Sequence, residues 1–307
     1  MAFFKGVFQN VKRTVFQNVK HTALAVVKRK QCFLLPLFCA ILPTIRKRPD
    51  ATTQKGDFSM GYIRITEENI DREHICCAMS NNQSARKKEW LKARFKEGLV
   101  FYRSELRGKC FIEYIPAENA WQPLEADGYT HINCLWVSGS LKGHGYSSEL
   151  LGECVRDAKA QGRKGLCILS SAKKKGFLAD PKYLAYKGFQ AADESDCGIQ
   201  LWYLPFDNDA EPPKFRDCAK HPQVNESGFV LYYSDQCPFT CYWVSRLAEV
   251  AEAYRVPLKV IHIDTREKAQ NAPSPVTNFS LFRDGKFITH EILNEKKFLA
   301  LAGIKVE

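Results

Sequence analysis

One turn constrains this chain more than any other stretch: Lys142-Gly143-His144-Gly145-Tyr146-Ser147, set between the apolar strand end Leu135-Trp136-Val137 and a helical pattern from Gly145 to Gln161. Glycine adopts backbone angles closed to other residues. Two glycines at 143 and 145 therefore let successive N–H groups converge on one anion where the helix begins. Lys142 adds a point charge beside them. The junction suits a phosphate, and its plainer reading is an ordinary strand-to-helix turn.

The flanking pattern is that of an α/β (α+β) domain. Residues 61–66 alternate like a strand, and residues 67–79 carry early acids and apolar residues at helical intervals. Residues 85–98 read as a second amphipathic helix. Two antiparallel strands follow, at 99–104 and 108–115, and residues 130–137 form the strand that enters the glycine turn. After the helix come a strand at 165–170, a short helix at 176–187 and a last apolar strand at 199–205.

This order, with Val137-Ser138-Gly139 leading into Lys142-Gly143-His144-Gly145-Tyr146-Ser147, resembles the GNAT superfamily of N-acetyltransferases. Lys142 stands where that superfamily carries Arg or Gln, which keeps the charge and loses the planar fork. Ser147 replaces a Gly or Ala. Tyr183-Leu184-Ala185-Tyr186-Lys187-Gly188-Phe189 is similar to its closing element. The resemblance covers residues 60–206 and implies a mixed, largely antiparallel sheet flanked by helices. It also implies acetyl-coenzyme A as co-substrate. The pyrophosphate would lie on Lys142, Gly143, His144, Gly145, Tyr146 and Ser147, the pantetheine along Leu135, Trp136 and Val137, and the acetyl group would pass directly to an amine of a small molecule or peptide. No metal is implied.

Acetyl transfer also needs a proton acceptor and a proton donor. Many members of the superfamily use a tyrosine four residues before the closing glycine as the acid. Counted back from Gly188, that place holds Leu184, which leaves Tyr183 and Tyr186 as candidates; both could equally pack their rings with the phenol at an edge. For the base, Glu113 and His131 stand on suitable strands. Each has a plain structural reading, the glutamate on a solvent face and the histidine as a hydrogen-bonded core or edge residue.

Composition adds two limits. The formal charge is +11, yet residues 1–59 hold 11 Lys or Arg against 2 Asp or Glu, which leaves +2 for the rest. No nucleic-acid partner is expected for the folded part. The 12 cysteines show no zinc spacing, so neither a metal ribbon nor a secreted disulfide framework is expected, and a reducing cytoplasm fits. Residues 1–59 contain a tandem eight-residue duplication and an apolar run, residues 32–45, too short to span a bilayer. A signal-like or transit-like leader, a membrane-surface segment and a non-native extension are all open. The duplication, with Met60 just ahead of the first strand, favours the third, and membrane contact would depend on this leader alone.

Residues 207–228 are polar and proline-bearing, as in a linker. Beyond them, strands at 229–233 and 259–263, a hairpin at 279–288 and a final helix through Phe298, Leu299 and Leu301 resemble a thioredoxin-like unit, and the whole resembles YoaP-like GNAT proteins. Cys237 would sit at a helix start, where the partial positive charge favours thiolate. Cys237-Pro238-Phe239-Thr240-Cys241 is one residue longer than the redox spacing, and Pro275 lies two residues early, relative to Gly285, for the second signature. A thiol-disulfide or thiol-ligand protein working through Cys237 and Cys241 is the alternative function.

Overall fold

Strand β3 (Cys110–Pro116) shows how the first sheet is built, because its residues alternate between two cores. Phe111 and Ile115 join the cluster of Trp90 and Leu91, while Ile112 and Tyr114 join that of Leu150, Leu151 and Cys154. By the same alternation Glu113 points to the first of these faces. The computed structural model describes residues 61–75 and 81–305. All expectations for residues 1–59 lie outside the described residues.

Along the chain come β1 (Tyr62–Ile65), α1 (Asn81–Phe95), β2 (Val100–Ser104), β3, the short β4 (Leu124–Glu125) and β5 (Tyr129–Val137). Then follow α2 (Tyr146–Ala160), β6 (Gly165–Ser170), α3 (Pro181–Tyr186), β7 (Gln190–Glu194) and β8 (Gln200–Pro205). Seven strands form one sheet in the order β1-β2-β3-β5-β6-β8-β7. Every pairing is antiparallel except β5 with β6, so the sheet is the mixed, largely antiparallel one expected.

Two expectations need correction. Residues 67–73 form turns rather than a helix, because Asn69 accepts from the Thr66 amide at 2.9 Å and donates to the Arg64 carbonyl at 2.9 Å. A short polar side chain that offers the backbone such partners competes with helix formation. The helix expected at 176–187 starts only at Pro181, capped by Asp180 accepting from the Lys182 amide at 3.0 Å.

The segment 207–228 is no bare tether. It carries β9 (Lys214–Phe215), which pairs with β4, and α4 (Asp217–Lys220), and Phe215 is buried. Next come β10 (Phe229–Tyr233), α5 (Pro238–Ala253), β11 (Leu258–His262), α6 (Arg266–Gln270), β12 (Phe279–Arg283), β13 (Lys286–Thr289) and α7 (Glu295–Leu301). These strands form a second sheet in the order β11-β10-β12-β13, parallel only between β10 and β11. One face packs Phe229 and Leu231 against Val244 and Leu247 of α5 and Phe298 and Leu299 of α7.

The two sheets share an interior. Trp121, Leu124 and Phe215 belong to the same buried cluster as Ile263, Ala269, Ala272 and Val276. Backbone partners close the seam: Thr277 Oγ1 donates to the Trp121 carbonyl at 2.6 Å, and Gln270 Nε2 donates to the carbonyls of Glu118 and Ala120 at 3.0 and 3.1 Å.

Candidate active site

The glycine turn opens as a nest. Gly143 and Gly145 have φ of 85° and 86°, and a Cβ at either would meet nothing within 4 Å. The amide of Lys142 is taken by the Gly139 carbonyl at 3.3 Å, so the expected run of free amides is shorter by one. From Gly143 to Ser147 the described residues offer those amides no carbonyl, while Ser148 and Glu149 bond back to Gly145. Five N–H groups are thus without a backbone acceptor among the described residues, at or just before the positive end of the 15-residue helix α2.

Around this nest lies a cleft of about 290 Å³ whose walls include Leu135, Trp136, Val137, Lys142, Tyr146 and Ser147. Lys174 and Lys175, which carried no sequence signal, flank it. The His144 ring stacks on Tyr146 at 5.5 Å and stays exposed, outside the lining of the cleft. Behind the nest, the β5 and β6 ladder stops at Ile132↔Ile168, although β5 runs on to Val137. From Asn133 onward this edge of β5 faces open space and not a neighbouring strand.

A small chamber of about 60 Å³ fills that parting. It shares Leu135, Leu178 and Ala179 with the cleft, and Asn133, Cys134, Val276 and Asn278 with a cavity of about 250 Å³ between the two sheets. Trp136 borders all three. Cleft, chamber and cavity lie side by side and share these walls.

Glu113 stands on the cavity wall and is not on a solvent face. It is 2% exposed, with Oε2 taking a hydrogen bond from Lys87 Nζ at 2.6 Å and Oε1 taking one from Asn133 Nδ2 at 2.9 Å. Lys87, equally buried, comes from α1 and also lies over the Trp90 ring at 4.3 Å. Asn133 reaches Glu113 because β5 bulges there: Glu113 faces Cys134 while Tyr114 faces Ile132, leaving Asn133 as the extra residue. Neither Lys87 nor Asn133 was legible beforehand.

The two tyrosines separate. Tyr183 lines the cleft, and its buried hydroxyl has no hydrogen bond of normal geometry. Burial pushes its pKa up, against a smaller opposite pull from the nearby Ser147 and Ser148 hydroxyls, so the phenol keeps its proton. Tyr186 is 80% exposed, lies beside Lys187 and borders none of these three spaces, which removes it as a candidate acid. The two are three residues apart on α3, Tyr183 mid-helix against the cleft and Tyr186 at the helix's exposed last residue.

His131 is buried and borders the chamber, with Nδ1 3.6 Å from Cys167 Sγ. Burial pushes its pKa down to about 3, so it is a weak base and serves the core. His290, on the cavity wall with Nδ1 3.1 Å from the Phe279 carbonyl, is likewise pushed down to about 3 by burial. Both rings remain neutral in the fold but gain a proton near their ordinary 6.5 when unfolded. Stability from these two sites is therefore full above pH 6.5 and falls as pH drops toward about 3, by up to about 1.4 kcal/mol per pH unit and ring. Urea titrations at about pH 7.5 and about pH 5 should show the loss, and His131→Asn should make it shallower.

The thiols do not behave as a helix start alone would suggest. Cys237 is the N-cap of α5 and borders the cavity, yet desolvation outweighs the helix and raises its pKa. Cys241 donates to Asp235 Oδ1 at 2.7 Å, and burial first and the carboxylate second push it up to about 12. Both are free thiols engaged with different surroundings. Nothing in this arrangement supports the thiol-disulfide alternative. Among the described residues, no group of three or more His, Cys, Asp or Glu is placed to hold a metal, and no helix is long and apolar enough to cross a membrane.

The sequence profile of the family described as YoaP-like matches residues 257–299. The Bacillus subtilis (strain 168) protein named "Uncharacterized N-acetyltransferase YoaP" is 43% identical over 243 residues, 78% of this chain and 97% of that protein. Among solved structures, a GNAT family acetyltransferase from Brucella melitensis in complex with acetyl-CoA is 16% identical over 52% of this chain and 96% of its own, with a TM-score of 0.32. The PaiA N-acetyltransferase of Thermoplasma acidophilum, in complex with coenzyme A, is 12% identical over 48% of this chain and 100% of its own, with a TM-score of 0.34. Identity of this level across nearly the whole length of the Bacillus protein means that the chain belongs to the YoaP-like N-acetyltransferase family.

Proposed function

We propose that this protein is an N-acetyltransferase that moves an acetyl group from acetyl-coenzyme A directly to an amine. The observation that carries the reading is the unpaired amides of residues 143–147 on a cleft that adjoins, through shared walls, the cavity bordered by the Glu113 carboxylate. Those amides, with Lys142 and Lys175, would hold the pyrophosphate, and the open edge of β5 at Leu135, Trp136 and Val137 would hold the pantetheine arm. The nest fits such a group because the space a side chain at 143 or 145 would occupy is empty. When bound, acetyl-coenzyme A supplies an activated acetyl thioester.

The chain supplies the rest. Backbone N–H groups of β5 beyond Ile132 polarise a carbonyl in the chamber. Glu113 accepts a proton from the amine, held in place by Lys87 and Asn133. Tyr183, kept protonated by burial, gives one to the leaving sulfur. The C-terminal unit is thioredoxin-like in strand connectivity, which its order β11-β10-β12-β13 supports, and it acts as a wall of the cavity and not through thiol exchange. The 12 cysteines of the sequence, with no secreted disulfide spacing, favour a cytoplasmic protein.

Calorimetry with acetyl-coenzyme A and a thiol-release assay with an amine mixture test the proposal. Saturable binding and amine-dependent release are expected, and absence of binding would refute it. Tyr183→Phe should lower kcat by roughly 10²-fold and leave cofactor affinity unchanged.

A further inference from the structure

We propose that the cavity between the two sheets selects a small primary amine with an apolar, ring-bearing body, and that the C-terminal half of the chain sets this preference. The inference deepens the acetyl-transfer reading and rests on it. Size is the first argument: about 250 Å³ lies below the roughly 300–1,000 Å³ of clefts that take drug-sized ligands, so the space suits a metabolite-sized amine better than a folded partner.

The walls give the body of the ligand. Phe111, Trp136 and Phe177 come from the part of the chain that carries the first sheet, and Phe239, Phe279 and Ile292 from the part that carries the second. Several rings on one cavity wall favour a ligand ring among them, through edge and offset contacts as well as burial of apolar area.

Three carboxamides give the head group. Gln122 Oε1, Asn133 Oδ1 and Asn278 Oδ1 are buried without any donor; all three residues border the chamber, and Asn133 and Asn278 border the cavity as well. The oxygen of Asn133 is identified by its other arm, since Nδ2 donates to the Glu113 carboxylate. The Nε2 of Gln122 donates to Gln236 Oε1 at 3.2 Å, across the seam between the two halves. Buried acceptors left unpaired are costly, and the complement of three acceptors beside a carboxylate is a group with three donors and no acceptor. A primary ammonium is that group; a phosphate or carboxylate would worsen the deficit. The amine end therefore lies in the chamber and the ring in the wider cavity.

Proton balance is consistent with this placing. An ammonium loses two protons on becoming an acetamide. Glu113 takes the first and passes it to water; the second replaces the proton that Tyr183 gives to the sulfur, as the C–N bond forms and the C–S bond breaks to release free thiol.

The test uses the full chain with acetyl-coenzyme A and three amines: 2-phenylethylamine, spermidine and a blocked lysine peptide. The expected kcat/KM for 2-phenylethylamine exceeds the other two by at least about tenfold. Phe239→Ala and Asn278→Leu should each raise its KM about tenfold with acetyl-coenzyme A affinity unchanged, and Asn278→Leu should not lower the melting temperature. Preference for spermidine or the peptide, or KM values that neither substitution moves, would overturn the cavity assignment while leaving acetyl transfer intact. Failure to bind acetyl-coenzyme A in calorimetry would remove both.

Discussion

Glu113→Gln is expected to lose activity and stability together, and a second variant separates the two effects. Removing the carboxylate's charge leaves Lys87, 2% exposed, without its counter-charge, and breaking a buried pair in this way costs about 3–5 kcal/mol. Turnover should fall by about 10²- to 10⁴-fold, the usual contribution of a positioned acid or base. The double variant Lys87→Met, Glu113→Leu removes both charges. Because buried ion pairs replaced by apolar residues are often neutral or stabilising, it should regain most of the denaturant midpoint. Only the unpaired Asn133 amide, worth about 1–3 kcal/mol, stays uncompensated. Turnover should not recover. If the double variant regained activity along with stability, Glu113 would be a structural residue and the proton acceptor would have to be sought elsewhere.

Gly145→Glu is the complementary case, in which affinity collapses and the fold survives. The φ of 86° at this position strains any side chain by about 1–2 kcal/mol, a modest loss for a chain this size. The new carboxylate, however, projects into the open space beside the five unpaired amides. Like charge against a diphosphate should raise the acetyl-coenzyme A dissociation constant by at least about 100-fold, about 2.7 kcal/mol. Lys142→Ala removes a single exposed charge and should cost tenfold or less, with the difference shrinking as salt is raised. Calorimetry at two ionic strengths checks both, with circular dichroism as the control for folding. Equal affinities for Gly145→Glu and the parent protein would move the anion site away from the turn.

The cleft was legible in the sequence and the cavity was not, for a physical reason. Gly143, Gly145 and the helix after them act through the local backbone, so their spacing along the chain is already their geometry. The surroundings of Glu113 are set by contacts that spacing does not record: Lys87 on a helix 26 residues earlier, and Asn133 at a bulge 20 residues later. Nothing in either neighbourhood marks them. The tyrosines show the limit of counting, since Tyr183 and Tyr186 lie on one short helix and only one faces the cleft. Strand β7, Gln-Ala-Ala-Asp-Glu, escaped notice because an edge strand with mostly open faces carries no apolar alternation. The stretch 207–228 read as a tether because its proline and acidic residues dominate, while a single buried ring, Phe215, anchors it.

The seam between the sheets bears on how such a chain can change over generations. Trp121 and Leu124 on one side and Ile263, Ala269 and Val276 on the other are packed as neighbours, so the carboxy-terminal half is not a cassette that recombination can swap freely. A transplanted tail would meet the wrong bumps and hollows. New acceptors can be reached only by matched replacements on both flanks, and lineages of this architecture should diversify by paired drift across the joint.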